Sequence, residues 1–100
     1  MVKRVVSADT SVVAAREQVS TDLGGEVAIL DLKSGVYYGL DAVGARIWSL
    51  IQEPRTVREI HDIIISEYEV EAHRCKHDLV MLLQDLAEQE LIEIRDGTPA

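Results

Sequence analysis

Two histidines and the chain's single cysteine fall within five residues of one another, as His73, Cys75 and His77. No other cluster has the residue types of a metal centre. His73 and His77 are four apart, so on a helix they share a face, as two ligands of one ion should. Cys75 falls on the far side of that helix, so the three cannot converge on one ion. The pattern predicts a buried thiol and two solvated histidines, with no metal and no cofactor. Catalytic chemistry finds as little support. Ser34 sits in a turn with no base beside it, and His61 and Asp62 are sequence neighbours, which on a helix point about 100° apart. The carboxylates are spread along exposed faces. Gly24-Gly25 and Gly35 are isolated turn elements rather than a phosphate-binding loop. The expectation is a protein that is not an enzyme.

The 100 residues make one domain, 1–100, with an ordered core over about 10–95. Apolar residues are 47% and charged residues 28%, a globular balance that excludes general disorder. No apolar run approaches the ~20 residues that span a membrane. Met1-Val2-Lys3-Arg4 is not followed by the apolar stretch of a signal peptide. One cysteine cannot close an internal disulfide. These features predict a cytoplasmic protein with no membrane partner.

The charge is uneven. Residues 1–58 carry 7 basic and 7 acidic residues, residues 59–100 carry 3 and 11, and the net charge is −8. A nucleic-acid binder needs cations that release phosphate counterions. This balance is the reverse, so the expected partner is a peptide, a protein or a small molecule, and no nucleic acid.

The elements that must position these residues follow from local signals. Ser11 to Val19 is a first strand candidate, ended by the Thr21-Asp22-Leu23-Gly24-Gly25 loop. Glu26 to Leu32 is a second strand, apolar on both faces and therefore central. Asp31 to Val36 reads as a hairpin with a three-residue loop, Gly35 taking the left-handed position. Val36-Tyr37-Tyr38-Gly39-Leu40 is the third strand. Gly39 leaves a gap in its side-chain cover where another backbone can approach. Asp41 caps a helix through about Gln52, with Ile47, Trp48, Leu50 and Ile51 inward and Pro54 beyond its end. Thr56-Val57-Arg58-Glu59 is a capping box for a helix over Val57–Tyr68. A third helix runs over about Glu71–Gln89. The tail Leu91-Ile92-Glu93-Ile94 alternates as a short strand would, and Gly97 to Ala100 is expected to fray. Strands then helices predict an α+β fold: a winged-helix-like arrangement of a three-stranded antiparallel sheet followed by three helices.

Two features of this layout point to a ligand. On the third helix, Ala72, Cys75, Leu79, Val80, Leu82, Leu83, Leu86 and Ala87 fill an arc of roughly 160°, where a one-sided surface helix needs about 100°. The surplus is extra core or a side left open. With strand order first–second–third, the third strand lies at a sheet edge, whose free N–H and C=O groups can accept an extended peptide. For Tyr37 and Tyr38, covering the hairpin and core is the competing role.

These residues carry a resemblance. Val27-Ala28-Ile29-Leu30-Asp31, Gly35-Val36-Tyr37-Tyr38-Gly39-Leu40-Asp41 and Ile47-Trp48 resemble the PqqD-like family, whose hairpin ends in Gly-x-Tyr-Tyr-x-Leu-Asn before a helix with an Ile-Trp pair. Asp41 stands where Asn is commoner. Thr56-Val57-x-x-Ile60, Tyr68-x-Val70, Asp78-Leu79 and Leu91-Ile92 continue the likeness, which covers roughly residues 10–95. The resemblance implies a recognition element that binds the leader of a ribosomally made precursor peptide by strand addition. The wording from Asp31 to Asp41 is most similar to stand-alone proteins of lasso-peptide pathways. There the implied partners are the precursor leader, a leader peptidase and an ATP-dependent macrolactam synthetase. Carried over residue by residue, the peptide-binding set is Val36, Tyr37, Tyr38, Gly39 and Leu40 on the strand, with Cys75, Asp78, Leu79, Leu82, Leu83 and Leu86 on the third helix. Asp78 would bond a polar leader group. Two alternatives stand beside this reading: a peptide chaperone of a pyrroloquinoline-quinone or radical-enzyme pathway, and a winged-helix DNA-binding regulator. Against the second, Asp78, Asp85 and Glu88 on the third helix would repel phosphate.

Overall fold

The computed structural model describes residues 6–16 and 18–95; the expectations for Met1 to Arg4 and for Gly97 to Ala100 lie outside them. Helix ends obey the local signals. Asp41 Oδ1 accepts from the Gly44 amide at 2.8 Å and starts α1, Ala42–Leu50. The Thr56 hydroxyl accepts from the Glu59 amide while Glu59 accepts from the Thr56 amide, and α2, Val57–Glu67, follows. Glu71 accepts from the amides of His73 and Arg74 and starts α3, Ala72–Glu88. These carboxylate and hydroxyl oxygens satisfy amides that have no partner inside their helix.

The strands are β1 (Ser11–Ala14), β2 (Gln18–Asp22), β3 (Val27–Asp31), β4 (Tyr37–Leu40), β5 (Arg55–Thr56) and β6 (Ile92–Arg95). They form two antiparallel three-stranded sheets, in the orders β2-β3-β4 and β5-β1-β6. The first sheet has the expected three-stranded antiparallel form, with β3 central and β4 at an edge, but its outer strand is β2, which takes in Thr21 and Asp22, expected in the loop, because they pair with Ala28 and Val27 of β3. The second sheet was not foreseen as such, because its strands come together from residues 11, 55 and 92 onward.

The single first strand expected over Ser11–Val19 is divided. Val12 and Val13 of β1 are buried between β5 and β6, whereas β2 is largely exposed beside β3. Neither set of partners can satisfy the whole segment, so the chain turns at Ala15-Arg16. The Gln18 amide group holds that corner by donating to the Ala15 carbonyl at 2.7 Å.

The β3–β4 hairpin is one residue longer than expected. Asp31 N–H donates to the Val36 carbonyl at 3.0 Å and Gly35 N–H to the Asp31 carbonyl at 2.8 Å, so residues 32–35 form the loop. The Asp31 carboxylate accepts from the Ser34 hydroxyl and the Lys33 amide, which tightens the turn and lowers its pKa. Gly35 has φ +73, a conformation that side chains with a Cβ resist.

The core gathers Val12, Ile29, Leu40, Ile47, Trp48, Ile51, Val57, Ile60, Ile64, Leu79, Leu83 and Leu86 from both sheets and all three helices. Gly44 lets α1 close on β4: a Cβ there would stand 3.2 Å from the Leu40 Cβ. The α1–α2 contact is clamped by a fork of two bonds, from Arg46 Nε and Nη2 to the Glu67 carboxylate, both 2.8 Å. His61 Nε2 on α2 lies 2.8 Å from the Ala72 carbonyl at the start of α3.

Candidate peptide-binding groove

Between β4 with α1 on one side and α3 on the other runs a groove of about 620 Å³. Ligand sites commonly fall within ~300–1,000 Å³. Tyr38, Gly39, Leu40, Val43, Gly44 and Ile47 form one wall. Val70, Cys75, Leu79 and Leu82 form the apolar part of the other, with Glu71, Arg74 and Asp78 along its rim. Ile64 of α2 closes it beneath. A second depression beside β1 and β6 is lined by Arg16, Gln18, Gln52, Glu93 and Arg95, and has no comparable apolar wall.

The register settles which backbone groups of β4 are free. Tyr38 pairs with Ile29 and Leu40 with Val27, in step with the bonded pair Asp31–Val36. Antiparallel pairs alternate between bonded and non-bonded positions. The N–H and C=O of Tyr38 and Leu40 therefore face β3. Those of Tyr37 and Gly39 face the open edge. The pleat sends the Tyr38 and Leu40 side chains inward with Ile29, and the Tyr37 side chain to the other face, where it is 71% exposed. Val36 bonds to β3 through its carbonyl and lies outside the groove lining.

The six expected α3 residues separate. Cys75, Asp78, Leu79 and Leu82 line the groove. Leu83 and Leu86 are both 0% exposed, pack in the core and are not part of the groove lining. Of the strand set, Tyr38, Gly39 and Leu40 line the groove, and Val36 and Tyr37 do not. The sequence argument missed Val43, Ile47, Val70 and Arg74 as wall residues. Gly44, a glycine inside a helix, is an unused signal in the sequence for the close approach of α1 to β4.

Cys75 is half-buried in the groove wall, and burial, with Asp78 nearby, pushes its thiol pKa up. His73 and His77 are exposed, and no group of three or more His, Cys, Asp or Glu is placed to hold a metal among the described residues. Burial, and secondarily the Asp85 carboxylate, raises the Tyr38 hydroxyl pKa. No helix among the described residues is long and apolar enough to cross a membrane.

Chemically, this arrangement offers main-chain hydrogen bonds at one edge, apolar anchoring beside it, and polar groups at the rim. Comparison with known proteins identifies the family and the fold. The family described as coenzyme PQQ synthesis protein D (PqqD) matches residues 26–92, from the end of the β2–β3 loop into β6. The solved structure of TbiB1 in complex with the TbiA(beta) leader peptide superposes with a TM-score of 0.75 at 43% identity, covering 81% of this chain and 94% of that one. The structure of lasso peptide synthetase B1 complexed with the leader peptide superposes with a TM-score of 0.72, covering 82% of this chain and 96% of that one. At 23% identity this second likeness speaks for the fold. No curated protein matches the sequence.

Proposed function

Because this chain belongs to the PqqD family, we propose that it is a leader-peptide-binding protein of lasso-peptide biosynthesis. One observation carries the reading: the free edge of β4, at Tyr37 and Gly39, adjoins the apolar groove. A disordered leader adds to that edge as a strand. Main-chain hydrogen bonds supply affinity, and side chains of the leader enter the space between Leu40, Ile47, Leu79 and Leu82. Ordering the leader costs about 2–5 kcal/mol, so a few anchors dominate the balance.

The role is non-catalytic. The protein holds the leader while a leader peptidase and an ATP-dependent macrolactam synthetase act on the precursor, raising the local concentration of substrate at those enzymes. The TbiB1 structure, at 43% identity and with a leader peptide bound, supports the lasso-peptide assignment over a pyrroloquinoline-quinone or radical-enzyme pathway. The DNA-binding alternative is disfavoured by the exposed Asp78, Asp85 and Glu88 of α3.

The test is a titration of a labelled synthetic leader from the neighbouring precursor against a scrambled control. Micromolar or tighter binding, about −8 kcal/mol, is expected for the leader alone. Equal binding of the scrambled peptide would overturn the reading.

A further inference from the structure

Glu71, Asp78 and Asp85 repeat every seven residues along α3. Seven residues advance a helix by about 10.5 Å and return within ~20° of the same face, so Asp78 and Asp85 share one face of α3, and Glu71, the N-cap, stands at the end of that row with its carboxylate turned onto the first amides. Glu71 and Asp78 stand on the rim of the groove. Asp85 continues the row towards Tyr38, close enough to act on that hydroxyl. Glu71 accepts the backbone amides of Arg74 and His73, which lower its pKa. Among the described residues, Arg74 is the one cation of the groove lining. Its contact with Asp78 is long, 3.9 Å, and both side chains are largely exposed, so the pair is weak and open to exchange.

We propose that the groove selects a leader with a Lys or Arg side chain beside its apolar anchors, taken up by this carboxylate row at Asp78. The proposal rests on the leader-binding reading and adds the charge of the peptide to it. An incoming cation replaces Arg74 as the partner of Asp78. Asp78 stands on the exposed rim, so the new pair is modest and salt-sensitive, beside apolar anchors at Cys75, Leu79 and Leu82. The net charge of −8 extends the same attraction outward and speeds encounter with a basic peptide. An acidic leader would meet the carboxylates of Asp41, Glu71 and Asp78 in the lining, with Asp85 beyond, against the guanidinium of Arg74.

The experiment measures association rates of the full chain with the labelled synthetic leader of the neighbouring precursor, and with a copy whose Lys and Arg residues inside the hydrogen-exchange footprint are replaced by Gln. Raising the salt from ~0.01 to ~1 M shortens the screening length from about 30 to about 3 Å and is expected to slow association about tenfold. At low salt, Asp78→Asn and Asp85→Asn are expected to slow it and Arg74→Gln to speed it, and the Gln-substituted leader to bind about tenfold more weakly. Opposite signs at neighbouring positions are an outcome that a structural defect does not produce. A footprint without Lys or Arg overturns the charge proposal. So do charge variants that associate at the wild-type rate while Gly39→Pro still abolishes binding, and in that case the leader-binding reading stands. Full binding by Gly39→Pro and Leu82→Asp together would remove the groove reading and this proposal with it.

Discussion

Gly39 of β4 lies directly opposite Ala28 of β3 at a non-bonded position of the ladder, so its amide and carbonyl both point to the open edge. Gly39 is also outside the left-handed region, and a Cβ placed on it meets nothing within 4 Å. Proline there removes an edge donor without breaking a β3–β4 bond. Gly39→Pro is expected to keep its thermal midpoint while losing leader affinity by about tenfold or more. Gly39→Ala is expected to keep both. Anisotropy titrations beside thermal melts check this, and full affinity in a folded Gly39→Pro variant would exclude pairing at that residue.

Leu82 and Leu83 are neighbours with different duties. Leu82 is half-buried in the groove wall and Leu83 is fully buried in the core. Leu82→Asp is expected to fold and to lose leader binding. Leu83→Asp buries a carboxylate with no partner, at a cost of several kcal/mol against a total stability of about 5–15 kcal/mol for a domain of this kind. It is expected to unfold or to melt far below the parent. Urea unfolding of both variants, with binding measured on whichever folds, distinguishes the two roles.

The Cys75 thiol provides a footprint of the groove. Burial and Asp78 raise its pKa, so less thiolate is present at neutral pH than on a free cysteine. Alkylation by iodoacetamide is expected to be slow at pH 7 and to speed up only above the ordinary thiol range. Saturating leader is expected to suppress it further. Unchanged rates with bound leader would place the peptide away from α3.

Acid sensitivity follows from the carboxylates that hold elements together. Glu67, bonded by Arg46, and Glu59 and Glu71, bonded at helix starts, have pKa values lowered in the folded state. Each contributes stability that is present above its unfolded pKa and is lost as the pH falls through its folded pKa. The thermal midpoint is therefore expected to fall below the usual carboxylate range. Glu67→Gln is expected to lower the midpoint at neutral pH and to flatten that part of the acid profile. An identical acid profile for Glu67→Gln would mean that the Arg46 clamp contributes nothing.

Much of the site was legible because its determinants are local. Asp41, the Thr56–Glu59 box and the turn at Gly35 act within about four residues, and the structure forms each of them. The order of the β2-β3-β4 sheet followed from hairpin connections, which leave β4 at an edge. Helical periodicity joined to the family likeness singled out Cys75, Asp78, Leu79 and Leu82 on α3, and these residues line the groove.

Local patterning on its own determined the caps and the presence of the hairpin, because each depends on residues a turn or so apart, periodicity determined the helix faces, and composition alone the acidic C-terminal half. Only the tertiary structure decided how the first apolar segment divides. Its partners, β5 and β6, lie some 40 to 80 positions away, and strand pairing between distant segments leaves no signature in a single window. It also decided which part of the α3 arc stays open. Periodicity shows that Leu79, Leu82, Leu83 and Leu86 share an apolar side. Burial depends on what packs across from each: the core closes over Leu83 and Leu86, while the gap between α1 and α3 leaves Leu82 at the wall of the groove.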